Sequence, residues 1–348
     1  MHSLSGCNLK EIETLLSSSL PQVPRFRANQ IHKWILKGAQ SFEEMTNIPL
    51  PLKNNLNENF CVYSSKIDEC REDADAKKIV LSLKDNLKIE AVLLSDEKKR
   101  LTACLSTQAG CPCACVFCKT GSLGFKRNLE SGEIIEQFLH LMKICEAKEK
   151  GHTIDNIVIM GMGEPLLNSE NLRKALLFLC DPKGLNFSRR RITVSTCGIC
   201  EELFNLAQNG PFTRLALSLT TADEHLRNIL MPISKTNPLV QIKKALLLFQ
   251  KKSGSRITLE IPLLGGINTH ESDAQSIADF AKGLETVINI IPWNPIEGFM
   301  FNGIPLKEPG KQETANFINM LDKHKLKVTM RLHKGQKILG ACGQLGSL

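Results

Sequence analysis

Aromatic side chains are scarce in this sequence: 5% of 348 residues, with one tyrosine (Tyr63) and two tryptophans (Trp34, Trp293) beside the phenylalanines. That scarcity disfavours a single-stranded nucleic-acid binder built on rows of stacking rings. No apolar run approaches the roughly 18 residues of a bilayer-spanning helix, so no membrane span is expected. Residues 1–13 lack a basic start followed by an apolar stretch, so no secretory signal is expected and the chain is placed in the cytoplasm. Repeats and low-complexity tracts are also missing. Apolar residues at 42% and charged residues at 23% exclude disordered and fibrous classes.

Cysteine, by contrast, is abundant, at thirteen residues. In a reducing cytoplasm structural disulfides are not expected. Buried hydrophobes, metal ligands and reactive thiols remain. The net charge is a modest +8 and unevenly spread: residues 1–100 hold 15 basic and 14 acidic side chains, whereas 101–348 hold 29 and 22. Basic clusters stand at Lys98-Lys99-Arg100, Lys126-Arg127, Arg189-Arg190-Arg191 and Lys334/Lys337. Any one of them reads equally well as a solvated face. Four of them near loops expected to form a site favour a polyanionic partner, whose phosphates such side chains neutralise.

Residues 8–60 read as short helices punctuated by Pro21, Pro24, Pro49 and Pro51, with Leu9, Ile12, Leu15 and Leu16 in helical spacing. The pattern then turns to strands, with a hairpin expected across Lys84-Asp85-Asn86. From residue 101 onward short apolar runs alternate with helical stretches: 101–106 with 130–149, 154–160 with 169–180, 192–196 with 198–208, 215–219 with 237–252, 257–262 with 272–284, and 287–292 with 311–324. A last run, 327–331, closes the series. Repeated βα units imply a parallel sheet covered by helices. Six of them predict an α/β fold with a partial (βα)6 barrel, whose chemistry belongs at the C-terminal strand ends.

The sharpest motif is Cys111-Pro112-Cys113-Ala114-Cys115-Val116-Phe117-Cys118, in the loop after the first strand of that series. Cys111, Cys115 and Cys118 form C-x3-C-x2-C. Zinc is one reading, since Cys197 and Cys200 supply a separate C-x2-C. Three thiolates on an iron–sulfur cubane, leaving one iron open, fit the spacing better.

With the triplet and its flanking blocks the chain resembles the radical SAM superfamily and, within it, the RlmN/Cfr family of RNA adenine methyltransferases. The matching blocks run Cys104–Cys111, Gly124–Leu129, Met160–Leu167, Ile291–Pro295 and Ala341–Leu345, in family order. The resemblance implies four segments: an N-terminal helical domain (1–60), a β-hairpin linker carrying a general base (61–96), the radical SAM core (97–336) and a C-terminal segment (337–348). It implies a 4Fe-4S cluster on Cys111, Cys115 and Cys118, and S-adenosylmethionine (SAM) as both methyl donor and radical source. Carbon 2 of adenine is electron-poor and cannot attack a methyl group as a nucleophile, so a radical route suits it. By the same resemblance Cys342 carries the methyl group and Cys104 releases the product through a transient disulfide with it. Glu90 is the base that removes the carbon-2 proton.

Gly163, Glu164, Ser195, Ser218, Leu219, Thr220 and Asn294 are implied to hold SAM. The family usually carries histidine where Thr220 stands. Cys113 is expected not to be a ligand, and Cys197 to be a packed thiol. The RlmN branch implies 23S rRNA and tRNA as partners, a one-electron donor such as flavodoxin or ferredoxin, and a monomer. Two rivals remain: Cfr-type methylation of carbon 8, and a non-catalytic, zinc-stabilised RNA-binding protein.

Overall fold

A computed structural model describes residues 2–148, 153–331 and 333–346. Its centre is one ten-stranded sheet: β1 (Lys66–Glu72), β2 (Ala76–Ser82), β3 (Lys88–Ser95), β4 (Leu101–Cys104), β5 (Asn156–Ile159), β6 (Ile192–Thr196), β7 (Arg214–Ser218), β8 (Ile257–Leu263), β9 (Thr286–Pro292) and β10 (Val328–Met330). Order in space follows order in the chain from β1 to β10. The first four strands pair antiparallel, and every later pairing is parallel.

Parallel neighbours require a crossover, and six long helices supply them: α4 (Ser131–Lys148), α5 (Ser169–Cys180), α6 (Cys200–Asn209), α7 (Leu239–Ser253), α8 (Glu271–Ala281) and α9 (Lys311–Lys323). The expected six βα units and the closing strand are all present. Residue 149, expected to end α4, and residues 347–348 of the C-terminal segment lie outside the described residues. Strands β7 and β8 have apolar interiors because helices cover one face and packed side chains the other. Leu215, Ala216, Leu217, Leu259 and Ile261 have no accessible surface beyond 1%.

The expected hairpin is β2–β3, turning at Asn86 with φ +63°. A third strand, β1, precedes it and is almost wholly exposed, with the sequence Lys-Ile-Asp-Glu-Cys-Arg-Glu. Such a charged edge strand carries no apolar face for periodicity to reveal. The hairpin continues into the barrel sheet, because Val92 of β3 pairs with Cys104 of β4.

Helices α1 (Leu9–Ser19), α2 (Phe26–Leu36) and α3 (Leu50–Asn59) form the N-terminal module. A capping box starts α1: Asn8 Oδ1 accepts from Glu11 N at 3.0 Å, and Glu11 Oε2 accepts from Asn8 N at 2.7 Å. The module buries Ile12, Ile31, Ile35, Phe42 and Met45 in one hydrophobic cluster with Ile134, Ile135 and Leu139 of α4. A polar bolt sits beside that contact. The buried Glu136 carboxylate accepts from the hydroxyls of Ser3 (3.0 Å), Ser5 (2.5 Å) and Ser64 (2.9 Å) and from the amides of Ser64 (2.7 Å) and Ser65 (2.8 Å).

Candidate active site

The cysteine loop hangs on a small antiparallel ribbon, Gln108–Gly110 against Phe125–Asn128. Three bonds brace it against the barrel mouth. Val116 N donates to Leu230 O at 3.0 Å, Lys119 N to Gly343 O at 2.7 Å, and Trp293 Nε1 to Phe117 O at 2.9 Å. Cys111, Cys115 and Cys118 thereby line one cavity at the C-terminal strand ends, where Ser195, Ser218, Pro262 and Trp293 also face it. It encloses about 1100 Å³ including its open mouth, room for ligands of cofactor size.

Burial pushes the Cys118 thiol up to about 11 and the Cys115 thiol well above its ordinary value, in both cases mainly through desolvation. A hydrogen bond with Cys113 moves Cys111 the other way. The three sulfurs do not converge on one point. Among the described residues, the group of potential ligand atoms lying within 4.8 Å of one another is instead Cys113, Glu164 and Cys197. A single tetrahedral zinc needs convergence, whereas a cubane offers each thiolate a different iron. The C-x2-C pair is not assembled as a knuckle either: Cys197 is buried with its sulfur 3.6 Å from that of Cys113, and Cys200 is absent from that group.

Gly163, Glu164, Ser195, Ser218, Thr220 and Asn294 all line the same cavity. At Gly163 φ is +101°, and a Cβ would lie 2.5 Å from that of Gln108, so only glycine brings the backbone this close. Glu164 is buried, and desolvation raises its carboxyl even though it accepts from Thr196 Oγ1 (2.6 Å) and the amides of Cys197 (2.8 Å) and Leu166 (3.0 Å). Thr220 adopts φ +64°, and its buried hydroxyl has no partner. Leu219 is brought elsewhere: its side chain packs in the hydrophobic cluster behind the strand ends.

The C-terminal segment closes the cavity. Asn294 Nδ2 donates to Cys342 O at 2.9 Å, Thr120 Oγ1 donates to Leu345 O at 2.7 Å, and Gln344 Nε2 donates to Pro295 O at 3.1 Å. Cys342 is solvent-accessible within a deep recess, and desolvation raises its thiol. A second, smaller cavity adjoins the first and is lined by both Cys104 and Cys342. Cys104 is buried, and desolvation pushes its thiol up to about 12.

Glu90 lines neither cavity. Fully buried, it binds Lys78 Nζ at 3.0 Å through Oε1 and accepts from Gly346 N at 2.8 Å through Oε2. Lys78, equally buried, also donates to Leu339 O at 3.2 Å. This ion pair thus holds the segment that carries Cys342 from both ends.

Residues that sequence reasoning passed over also face the site. Glu260 lines the main cavity, with its carboxyl raised by desolvation, and accepts from Asn289 Nδ2 at 2.6 Å. A lone carboxylate in the apolar run of β8 was the available signal. Arg331, just past β10, lines both cavities; no local motif marks it. The triplet Arg189–Arg191 precedes β6, at the opposite end of the strands from the site. The expectation that all four basic clusters lie near the site therefore fails for that one.

Comparison with known proteins agrees with this geometry. The model of the radical SAM superfamily matches residues 105–280, and that of the ribosomal RNA large subunit methyltransferase N-terminal domain matches residues 3–62. The chain belongs to the RlmN family of radical SAM RNA methyltransferases. A relative from Treponema denticola, described as a probable dual-specificity RNA methyltransferase RlmN, is 49% identical over 97% of each chain. One of the same description from Treponema pallidum is 42% identical over 99% of this chain and 97% of its own. A crystal structure of a radical SAM methyltransferase from Sphaerobacter thermophilus superposes over the whole of both chains with a TM-score of 0.93 and 32% identity.

Membership of the RlmN family brings a 4Fe-4S cluster and SAM, and the site fits them. It offers three soft thiols on one cavity, not all gathered within 4.8 Å of one another, and an unpartnered Thr220 hydroxyl in the cavity wall. No helix among the described residues is long and apolar enough to cross a membrane.

Proposed function

We propose that the chain methylates carbon 2 of adenine in 23S rRNA, in the peptidyl transferase centre, and in tRNA, at the adenine 3′ of the anticodon, with Cys342 as methyl carrier. The observation that carries this reading is the small cavity shared by Cys104 and Cys342 beside the three-thiol cavity. Cys111, Cys115 and Cys118 would hold the cluster, and Gly163, Glu164, Ser195, Ser218, Thr220 and Asn294 would line the SAM pocket. When bound, the cluster and SAM supply the methyl group, a radical that abstracts hydrogen and a sink for one electron.

The remaining work falls to the chain. Cys342 takes the methyl group on sulfur and presents its carbon to carbon 2 of an adenine drawn out of its stack. Glu90 then takes the carbon-2 proton, which requires Gly346 N to release its carboxylate. The Cys104 thiolate attacks the Cys342 sulfur. As the S–S bond forms, the S–C bond breaks, and its electron pair leaves with carbon and picks up a proton to complete the methyl group. A small one-electron donor such as flavodoxin or ferredoxin primes the cluster in the cytoplasm, where the chain acts as a monomer. A dithiol reductant supplies the two electrons and two protons that return the Cys104–Cys342 disulfide to thiols for the next turnover.

The test is the nucleoside made by anaerobically reconstituted protein with SAM and 23S rRNA or tRNA. The expected product is 2-methyladenosine from both RNAs. Release of 8-methyladenosine as the main product overturns the reading in favour of Cfr-type chemistry.

A further inference from the structure

Arg227 is the largest fully buried side chain among the described residues. It projects from the short helix Glu224–Leu230, whose last carbonyl, Leu230 O, accepts from Val116 of the cysteine loop. Its guanidinium donates to three backbone carbonyls, Cys197 O at 2.6 Å, Ser218 O at 3.1 Å and Leu219 O, and lies 3.4 Å from Met231 Sδ. Its Nε has no partner, and among the described residues no carboxylate forms an ion pair with it.

A cation taken out of water beside neutral carbonyls alone is costly unless an anion compensates it. The charges it acts on are the thiols of Cys197, Cys115 and Cys200 and the exposed carboxylate of Glu224, one turn back on the same helix. Of these, Cys115 belongs to the triplet. A 4Fe-4S cluster on three thiolates carries one net negative charge when oxidised and two when reduced, so reduction places a further electron near the guanidinium.

We propose that Arg227 is the built-in counter-charge of the cluster, a buried cation bonded to the backbone of Cys197 and Ser218 in the wall of the three-thiol cavity, which favours the reduced over the oxidised state and so eases electron entry. Its hydrogen bonds to Cys197, Ser218 and Leu219 fix that charge in place. It touches neither the methyl carrier nor the substrate and acts as a positioning and tuning residue. The inference concerns the cluster alone and stands or falls separately from the choice of carbon 2.

The test separates charge from hydrogen bonding. Arg227→Gln keeps donors for the carbonyls and removes the charge; Arg227→Lys keeps the charge and loses the planar fork. Arg227→Met is a second neutral variant should the Gln protein not fold, and circular dichroism and iron content confirm which proteins are folded and loaded. The share of reduced cluster is read by electron paramagnetic resonance in anaerobic redox titrations.

At the wild-type midpoint the neutral variants are expected to hold about tenfold less reduced relative to oxidised cluster, a midpoint about 59 mV lower. Arg227→Lys should stay close to wild type. A folded, fully loaded neutral variant with an unchanged midpoint overturns the proposal and leaves Arg227 a brace for three carbonyls. So does a Lys variant whose midpoint falls as far as that of the Gln variant. If neither neutral variant folds, the Lys variant decides: a folded protein that keeps its cluster at the wild-type midpoint supports the proposal, and one that loses it overturns it.

Discussion

Cys104 and Cys342 share a cavity, yet desolvation raises both thiols, so neither is readily a thiolate at neutral pH. Thiol exchange requires a thiolate attacker, and the Cys104 thiol is pushed up to about 12. Below that value its thiolate fraction rises about tenfold per pH unit. Single-turnover release of methylated RNA should therefore quicken by about tenfold per unit between pH 7 and pH 8.5; a flat profile removes Cys104 from the releasing step. Substitution gives a second check. Cys104→Ala should leave RNA covalently attached to Cys342, seen as a band that survives denaturation, and Cys342→Ala should yield no such band while retaining iron. These thiols were legible because each sits inside a recognisable string. The partners of Glu90 were not: Lys78 lies on a different strand and Gly346 at the far end of the chain, and only the folded sheet brings them together.

Among elements, the barrel was the most readable part, because each parallel strand is a short apolar run and each crossover helix an amphipathic one. The edge strand β1 was hidden by its charge, and the docking of the N-terminal module by its chemistry. The Glu136 bolt uses serines at positions 3, 5, 64 and 65, residues that read as ordinary turn polarity. Beside it His140 is buried, edge-on to Tyr63 at 4.9 Å, and desolvation lowers its imidazole to about 4. A histidine whose folded value is depressed stabilises the fold above its unfolded value near 6.5, and that contribution is lost as pH falls from there toward 4. It amounts to roughly 3 kcal/mol. Urea midpoints should fall over this interval in wild type and stay flatter in His140→Phe; parallel curves assign the loss elsewhere. On strand β2 of the central sheet, Lys78→Met leaves the Glu90 carboxylate buried without its cation. It should cost about 3–5 kcal/mol, read from urea unfolding. Lys78→Met combined with Glu90→Leu should recover most of that, whereas additive losses would mean that the pair is not coupled.

At the scale of the whole molecule, charge is arranged with respect to one end of the barrel. Lys98, Arg100, Arg331 and Lys334 surround a shallow cavity that shares Leu94, Arg331 and Lys334 with the cavity of Cys104 and Cys342. The loop after β3 and the segment after β10 thus bring two basic clusters, distant in sequence, to the rim of the site. Within this rim Arg100 is already paired with Asp96 at 2.6 Å, and Lys334 donates to Ser95 O. Lys98 is exposed and enters none of the ion pairs found among the described residues. Arg189, Arg190 and Arg191 are exposed at the opposite end and serve as an internal control. Each phosphate contact contributes about 0.7–0.9 to the slope of log affinity against log salt concentration. Lys98→Gln and Lys334→Gln should each weaken RNA binding across sequences and reduce the magnitude of that slope by about 1. The triple substitution of Arg189, Arg190 and Arg191 by Gln should leave the slope unchanged, although it removes more charge from the molecule. Titrations of RNA binding at several potassium chloride concentrations decide between a directed rim and general basicity. If the slope instead tracks total charge removed, the RNA does not approach over the Cys104–Cys342 cavity.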